Sequence, residues 1–223
     1  MGDTSLSRPV VGMAADFRTG GYWEVASDGG IFAFNAPFDG SMGGTPLNAP
    51  IVAMAVDNFT GGYWMVATDG GVFAFNAPFY GSMGGTRISE PIVGMASLPY
   101  GNGYWLVAKD GGVFAFGAAG FYGSMGGTPL NEPIVGMAND VNTGGYWLVG
   151  ADGGVFAFNS PFFGSLGGTA LNAPVVGMAS TRGSGGYWFV ASDGGVFAFG
   201  NAEFDGSLGG TRLNAPIVGV VGT

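Results

Sequence analysis

Apolar residues along this chain fall in short runs of four to six, each closed by glycine, proline, asparagine or aspartate. Pro50-Ile51-Val52-Ala53-Met54-Ala55 leads through a polar loop and two glycines to Tyr63-Trp64-Met65-Val66-Ala67. Asp69-Gly70-Gly71 reverses the chain into Val72-Phe73-Ala74-Phe75, and Asn76-Ala77-Pro78 turns it again into Phe79-Tyr80-Gly81-Ser82-Met83. Short β-rich runs bounded by such turn residues predict strands joined by hairpins, with Asp-Gly the strongest reversal signal. None of the runs shows the 3.6-residue recurrence of an amphipathic helix. Alternation within the runs is weak, because opposite-face neighbours such as Trp64 and Met65 are both apolar. Strands of that kind are buried on both faces, whereas a sandwich exposes polar residues at alternate positions.

The pattern recurs. Tyr-Trp pairs begin at Tyr22, Tyr63, Tyr104, Tyr146 and Tyr187, spaced 41, 41, 42 and 41 residues apart. The extra residue lies in the third copy, where Gly117-Ala118-Ala119-Gly120-Phe121 replaces Asn76-Ala77-Pro78-Phe79. Five copies at this period predict an all-β, five-bladed β-propeller with four antiparallel strands per blade; an open β-solenoid is the competing architecture. The blades span approximately residues 9–49, 50–90, 91–132, 133–173 and 174–215, as one domain. The Ile-Val-Gly-Met-Ala run is expected innermost, since its third place holds Gly12, Ala53, Gly94, Gly136 and Gly177, small enough to crowd an axis. Residues 216–223 add a sixth, redundant strand of the innermost type, and Met1 to Arg8 aligns without gaps on Met42 to Ala49. The expectation is that Pro9 to Ala14 completes the first blade, while the C-terminal strand lies outside the ring and offers a route to homo-oligomers.

Composition narrows the functional classes. The 223 residues include 47 glycines, 14% aromatic and only 9% charged residues, with a net charge of −9. Six scattered cations cannot form the basic footprint that nucleic acid or an anionic membrane surface requires. No apolar run approaches the roughly 18 residues of a membrane span, and the first nine residues carry no signal-peptide pattern. Cysteine and histidine are absent, which removes thiol chemistry, the commonest general base and the commonest transition-metal ligand. No cofactor, metal site or catalytic residue is expected.

The motifs Pro133-Ile134-Val135-Gly136-Met137-Ala138, Gly145-Tyr146-Trp147-Leu148-Val149, Asp152-Gly153-Gly154-Val155-Phe156-Ala157-Phe158 and Phe163-Gly164-Ser165 resemble a tandem-repeat β-propeller family of secreted actinobacterial proteins. The resemblance covers essentially the whole chain. It implies an accessory role outside the cell or on its surface, beside cell-wall hydrolases or other extracellular domains, and carries no catalytic activity. The second-to-third-strand hairpin is also similar to blades of quinoprotein-type propellers, though no cofactor residues carry over. Five short blades further resemble sugar-binding propellers of the tachylectin type, a likeness of fold alone.

The most regular acids, Asp28, Asp69, Asp110, Asp152 and Asp193, sit in Asp-Gly-Gly reversals. They read as structural turn residues, because aspartate bonds locally there and tolerates left-handed angles. Glu24 stands where the other copies hold Met65, Leu106, Leu148 and Phe189; a solvated edge and a buried acid are its two readings. The Tyr-Trp pairs could stack on sugars, but their repetition within a strand reads as inter-blade packing. The loop between first and second strands keeps its length while its contents change: Asp16-Phe17-Arg18, Asp57-Asn58-Phe59, Leu98-Pro99-Tyr100, Asp140-Val141-Asn142 and Thr181-Arg182-Gly183. A constant frame with variable contents is the signature of a binding surface, and equally of unconstrained drift. Phe17, Phe59 and Tyr100 are therefore candidate ligand contacts, as are the crossover asparagines Asn48, Asn131, Asn172 and Asn214. The expected function is a non-catalytic extracellular binding or scaffolding module engaging a protein or cell-wall partner through loops at one end. A multivalent lectin with sites between blades and a self-assembling repeat protein, natural or engineered, are the alternatives.

Overall fold

The computed structural model describes residues 6–222 and contains fifteen strands in five three-stranded antiparallel sheets, one per repeat. Unit 1 holds β1 (Val10–Asp16), β2 (Gly21–Ala26) and β3 (Ile31–Phe34); unit 2 holds β4 (Ile51–Val56), β5 (Tyr63–Ala67) and β6 (Val72–Phe75). Unit 3 holds β7 (Ile92–Ser97), β8 (Gly103–Ala108) and β9 (Val113–Gly117). Unit 4 holds β10 (Ile134–Asn139), β11 (Tyr146–Gly150) and β12 (Val155–Phe158), and unit 5 holds β13 (Val175–Ser180), β14 (Gly186–Ala191) and β15 (Val196–Gly200). First strands of successive units lie side by side, β1 on β4, β4 on β7, β7 on β10 and β10 on β13. All five border one cavity. The sheets therefore stand around a common axis in a propeller-like arrangement.

Each first strand carries a bulge at its second residue, so that Val10 pairs with Ala26 but Gly12 with Val25, and the shift recurs in the other four units. The bulge bends the strand and sets its small third residue flush against the next unit: a Cβ placed on Gly136 would lie 3.5 Å from the Gly177 Cα.

Cohesion between units comes from the Tyr-Trp strands. Unit n presents its Trp to the Tyr of unit n+1, at ring-centroid separations of 5.4, 5.2, 5.3 and 5.5 Å for Trp23–Tyr63, Trp64–Tyr104, Trp105–Tyr146 and Trp147–Tyr187. These eight side chains are fully buried, and burial of one such side chain is worth about 1.5–3 kcal/mol before ordering costs. Their polar tips also find partners. The indole N–H of Trp64 donates to the Pro78 carbonyl at 2.8 Å within its own unit. The Tyr104 hydroxyl reaches across the boundary, donating to the Gly81 carbonyl at 2.6 Å and accepting from the Tyr80 amide.

The fourth run of each unit departs from the expectation of a strand: residues 79–83 and their counterparts form no ladder. The cause is a glycine. Gly81 has φ 136°, and a Cβ there would lie 2.6 Å from the Phe116 ring of the next unit. The run bends at that point and spends its backbone groups on the neighbouring tyrosine. What remains is one contact to the hairpin, Met83 N–H to the Gly70 carbonyl at 2.9 Å.

The terminal segments also depart from expectation in part. β1 does complete unit 1. Of the N-terminal segment that matches Met42 to Ala49, Met1–Ser5 lie outside the described residues, as does Thr223. Residues 216–222, expected outside the ring, run beside β13 in the innermost place of a further unit. A Cβ on Gly177 would meet Gly219 Cα at 3.6 Å, as Gly136 meets Gly177. The Ile217 amide donates to Ser192 O at 2.9 Å, as that of Val175 donates to Ala151 O. Near-identity of sequence gives this run the same small residue and the same anchor, so it enters the slot its counterparts occupy.

Four hydrophobic clusters hold the five units together, between units 1 and 2, 2 and 3, 3 and 4, and 4 and 5. No corresponding cluster joins units 5 and 1 among the described residues. Tyr22 is 37% exposed where its four counterparts are fully buried, and Trp188 is half-buried where the other four tryptophans are sealed. Among the described residues the circle is open at that point.

Candidate functional site

The loops between first and second strands gather at one end of the molecule, and their conformation follows from their first residue. The Asp16 carboxylate accepts from the Arg18 amide at 2.9 Å and from the Thr19 hydroxyl at 2.7 Å. Asp140 does the same with the Asn142 amide and Thr143 hydroxyl, and Asp57 accepts from the Phe59 and Thr60 amides. In units 3 and 5, Leu98 and Thr181 take that place. Backbone bonds from the Gly101 amide to Leu98 O and from the Ser184 amide to Thr181 O close those loops instead.

The loops of units 1 and 2 and those of units 4 and 5 are laced to one another, and the fourth run of unit 2 reaches the loop of unit 3. The Arg18 guanidinium donates to the carbonyls of Asn58, Phe59 and Thr60 in unit 2. The Tyr80 hydroxyl donates to Gly101 O at 3.1 Å, and Asn142 Nδ2 donates to Gly183 O at 2.6 Å. The Val141 amide donates to Ser184 Oγ at 2.9 Å. A rim braced in this way is preorganised, which lowers the ordering cost of binding.

The rim encloses the mouth of the axial cavity, of about 380 Å³, within the range of small-ligand sites. The second residue of every loop lines it: Phe17, Asn58, Pro99, Val141 and Arg182. Deeper walls come from the ends of the first strands, with Met13, Met54, Met137 and Met178 supplying pliable apolar surface. Polar groups lie between: Ser97 Oγ donates to Val56 O at 2.9 Å and Asn139 Nδ2 to Ser97 O at 3.1 Å, stitching adjacent first strands together. Val220, Val221 and Gly222 complete the wall. The lining residues include one cation, Arg182, and no carboxylate.

Of the residues singled out from sequence, only Phe17 reaches this cavity. Phe59 and Tyr100 occupy the third loop position and are 79% and 80% exposed, outside the lining. The lining residues Asn58, Pro99, Val141 and Arg182 were visible as variable loop contents, but nothing in the sequence distinguished second from third position. Asn48, Asn131, Asn172 and Asn214 are exposed on crossovers at the opposite end. There Asn48 borders a shallow groove with Ser27, Asp28 and Thr45, and Asn214 another with Ser192, Asp193 and Thr211. Asp28, Asp69, Asp110, Asp152 and Asp193 each accept a bond from the amide two residues ahead, at 2.8–3.0 Å. Glu24 is half-buried on the open face of unit 1. Tyr63, Tyr104, Tyr146 and Tyr187 have hydroxyls whose pKa is raised by burial in the unit interfaces.

No family model matches this chain, and no curated protein matches it. Among solved structures it is similar to a structural-genomics protein of unknown function from Bacteroides thetaiotaomicron, with a TM-score of 0.63 at 12% identity. The similarity covers 98% of this chain and 65% of that one, so this chain spans 65% of its neighbour's length. At that identity the likeness concerns the fold.

Proposed function

We propose that this protein is a non-catalytic binding module of propeller type that takes its partner at the loop end, over the mouth of the axial cavity. The observation that carries this reading is the ring of second-position loop residues. Five structurally equivalent places, held in register by a laced rim, carry five different side chains, Phe17, Asn58, Pro99, Val141 and Arg182. A rigid frame with diversified contents at its mouth is how scaffolds present recognition surfaces. The methionine-lined interior suits an apolar group inserted from the partner, with Arg182 available to an anionic or carbonyl oxygen at the rim. A lining without carboxylates supports binding over hydrolysis, because glycoside cleavage needs a facing acid pair. The resemblance to secreted actinobacterial repeat proteins supports an extracellular setting and a cell-wall or surface-protein partner.

A lectin remains the second reading, on a specific observation: Asn48 and Asn214 border polar grooves shared with Asp28 and Asp193 at the opposite end. Retention on purified actinobacterial cell walls separates the two. The double variant Phe17→Asp/Arg182→Glu is expected to lose retention, while Asn48→Ala/Asn214→Ala keeps it. The reverse pattern assigns the sugar site instead, and a wild-type chain that passes through unretained overturns the cell-wall reading.

A further inference from the structure

The axial cavity is layered, and each layer has its own chemistry. The lining starts at the fourth-place methionines of the first strands, Met13, Met54, Met137 and Met178. Beneath them the third-place residues bring neighbouring strands together, so that a Cβ on Gly94 would lie 3.7 Å from Gly136 Cα. Fifth-place alanines, Ala55 and Ala138 among them, form the next layer. At a rise of about 3.3 Å per residue, these two apolar layers are about 7 Å deep, enough for one large apolar side chain. The sixth place divides the wall. Ala15 and Val56 keep units 1 and 2 apolar, whereas Ser97, Asn139 and Ser180 make a polar arc across units 3 to 5. Arg182 stands above that arc, in the loop at the mouth.

The polar groups have a specific capacity left over. Ser97 spends its hydroxyl proton on Val56 O, and Asn139 spends one amide proton on Ser97 O. Asn139 keeps its second N–H and its Oδ1, a donor and an acceptor side by side. That pair matches the C=O and N–H of one secondary amide. No hydrogen bond engages the Ser180 hydroxyl or the Arg182 guanidinium among the described residues. Arg18, by contrast, is consumed by three carbonyls of the unit 2 loop. The acids that head three of the loops, Asp16, Asp57 and Asp140, are buried and accept from their own loop amides. None of them lines the cavity, so no carboxylate opposes Arg182 there.

We propose that the cavity captures the free C-terminus of a polypeptide whose last residue is large and apolar. The proposal deepens, and rests on, the reading of the loop end as the binding face. The terminal side chain descends between the methionines and alanines, where pliable thioethers close around it. The amide joining the last residue to the one before it pairs with Asn139. The terminal carboxylate accepts from the Arg182 guanidinium at the rim, a charge-assisted bond, and the preceding residues leave across the mouth. The interior of a chain offers no carboxylate to Arg182. A sugar would press hydroxyl groups against methionine and alanine, where they find no partner.

The test is methyl NMR of the protein with isotope-labelled methionines, and the probe is the tripeptide acetyl-Ala-Ala-Leu with a free carboxylate. At up to about 10 mM it is expected to shift the methyls of Met13, Met54, Met137 and Met178 and to leave Met42, Met83 and Met125 in place. Amidating the carboxylate should weaken binding at least about tenfold. Arg182→Gln, a change at an exposed loop position, should bring acid and amide within about twofold of each other. Asn139→Ala should weaken both alike. Equal binding of acid and amide by the wild type overturns the proposal, and so do cavity methyls that the peptide leaves unmoved. A response to glucuronate with none to the peptide gives the cavity to a saccharide and also overturns it. In each of these cases, cell-wall retention that Phe17→Asp/Arg182→Glu still abolishes leaves the loop end standing as the binding face, whereas a wild type that is not retained takes down both readings.

Discussion

The tyrosine that opens each second strand does three things at once. Its ring covers the preceding unit's tryptophan, its hydroxyl donates to the glycine carbonyl of the preceding fourth run, and it accepts an amide from the same run, as Tyr146 does with Gly123 and Tyr122. Removing the hydroxyl leaves a carbonyl and an amide, both bonded in a partly buried setting, without those partners. Tyr146→Phe is therefore expected to cost about 1–3 kcal/mol in denaturant unfolding, and Tyr22→Phe, whose ring is exposed, close to nothing. Burial also raises the pKa of Tyr63, Tyr104, Tyr146 and Tyr187 above 10.0. Above pH 10 the unfolded chain loses these protons while the folded one retains them, so stability falls with rising pH. Their contribution is complete below pH 10.0 and drains away as pH climbs through the raised folded values. Urea midpoints between pH 9 and 11.5 should show that decline, shallower in Tyr146→Phe.

At the scale of the element, the hairpin and the bent fourth run explain each other. Gly111 in the β8–β9 reversal has φ 79°, and a Cβ there would lie 2.6 Å from Met125 Cβ in the passing fourth run. Gly127 in the crossover has nearly the same φ, 81°, with nothing within 4 Å. Gly127→Ala should thus cost only the left-handed strain of about 1–2 kcal/mol. Gly111→Ala adds overpacking of about 1–3 kcal/mol more. Thermal unfolding of the two variants separates backbone strain from close approach, and equal Tm losses would remove the second term. The third strand's exit shows a related exchange. Asn35, Asn76 and Asn159 take φ near 50° there, and the repeats with longer turns use Gly117 and Gly200 instead, at φ 68° and 67°.

The whole molecule behaves as a short array with two ends. Among the described residues each inner unit is covered on both faces and units 1 and 5 on one, so the cohesion of the outer two comes from a single neighbour. In a chain of units held by nearest-neighbour interfaces, local opening begins at the ends. Amide exchange should consequently be slowest in β5, β8 and β11 and faster in β2 and β14, despite almost identical sequences. Uniform protection across all five second strands would mean that the circle closes in solution.

Period, strand order and the role of the Tyr-Trp pairs were legible in the chain because they are local or repeated facts. Glycine and aspartate mark the reversals, and apolar runs without alternation mean burial on both faces. The fourth run reads as a strand because Gly81 and its counterparts look harmless within an apolar run. Only the approach of the next unit's phenylalanine and tyrosine shows that the backbone bends there. The mouth was half legible. The variable loops stood out, but whether second or third position faces the axis depends on the twist of the strands that carry them, so Phe17 was found while Asn58, Pro99, Val141 and Arg182 were not. The sequence by itself determined which surfaces stick together, since each unit carries both halves of the same interface. The angle between neighbouring units, and that Trp188 and Tyr22 do not pack on one another among the described residues, were decided only in three dimensions. That angle is set by how residues from neighbouring units share space at the axis, which no single repeat contains.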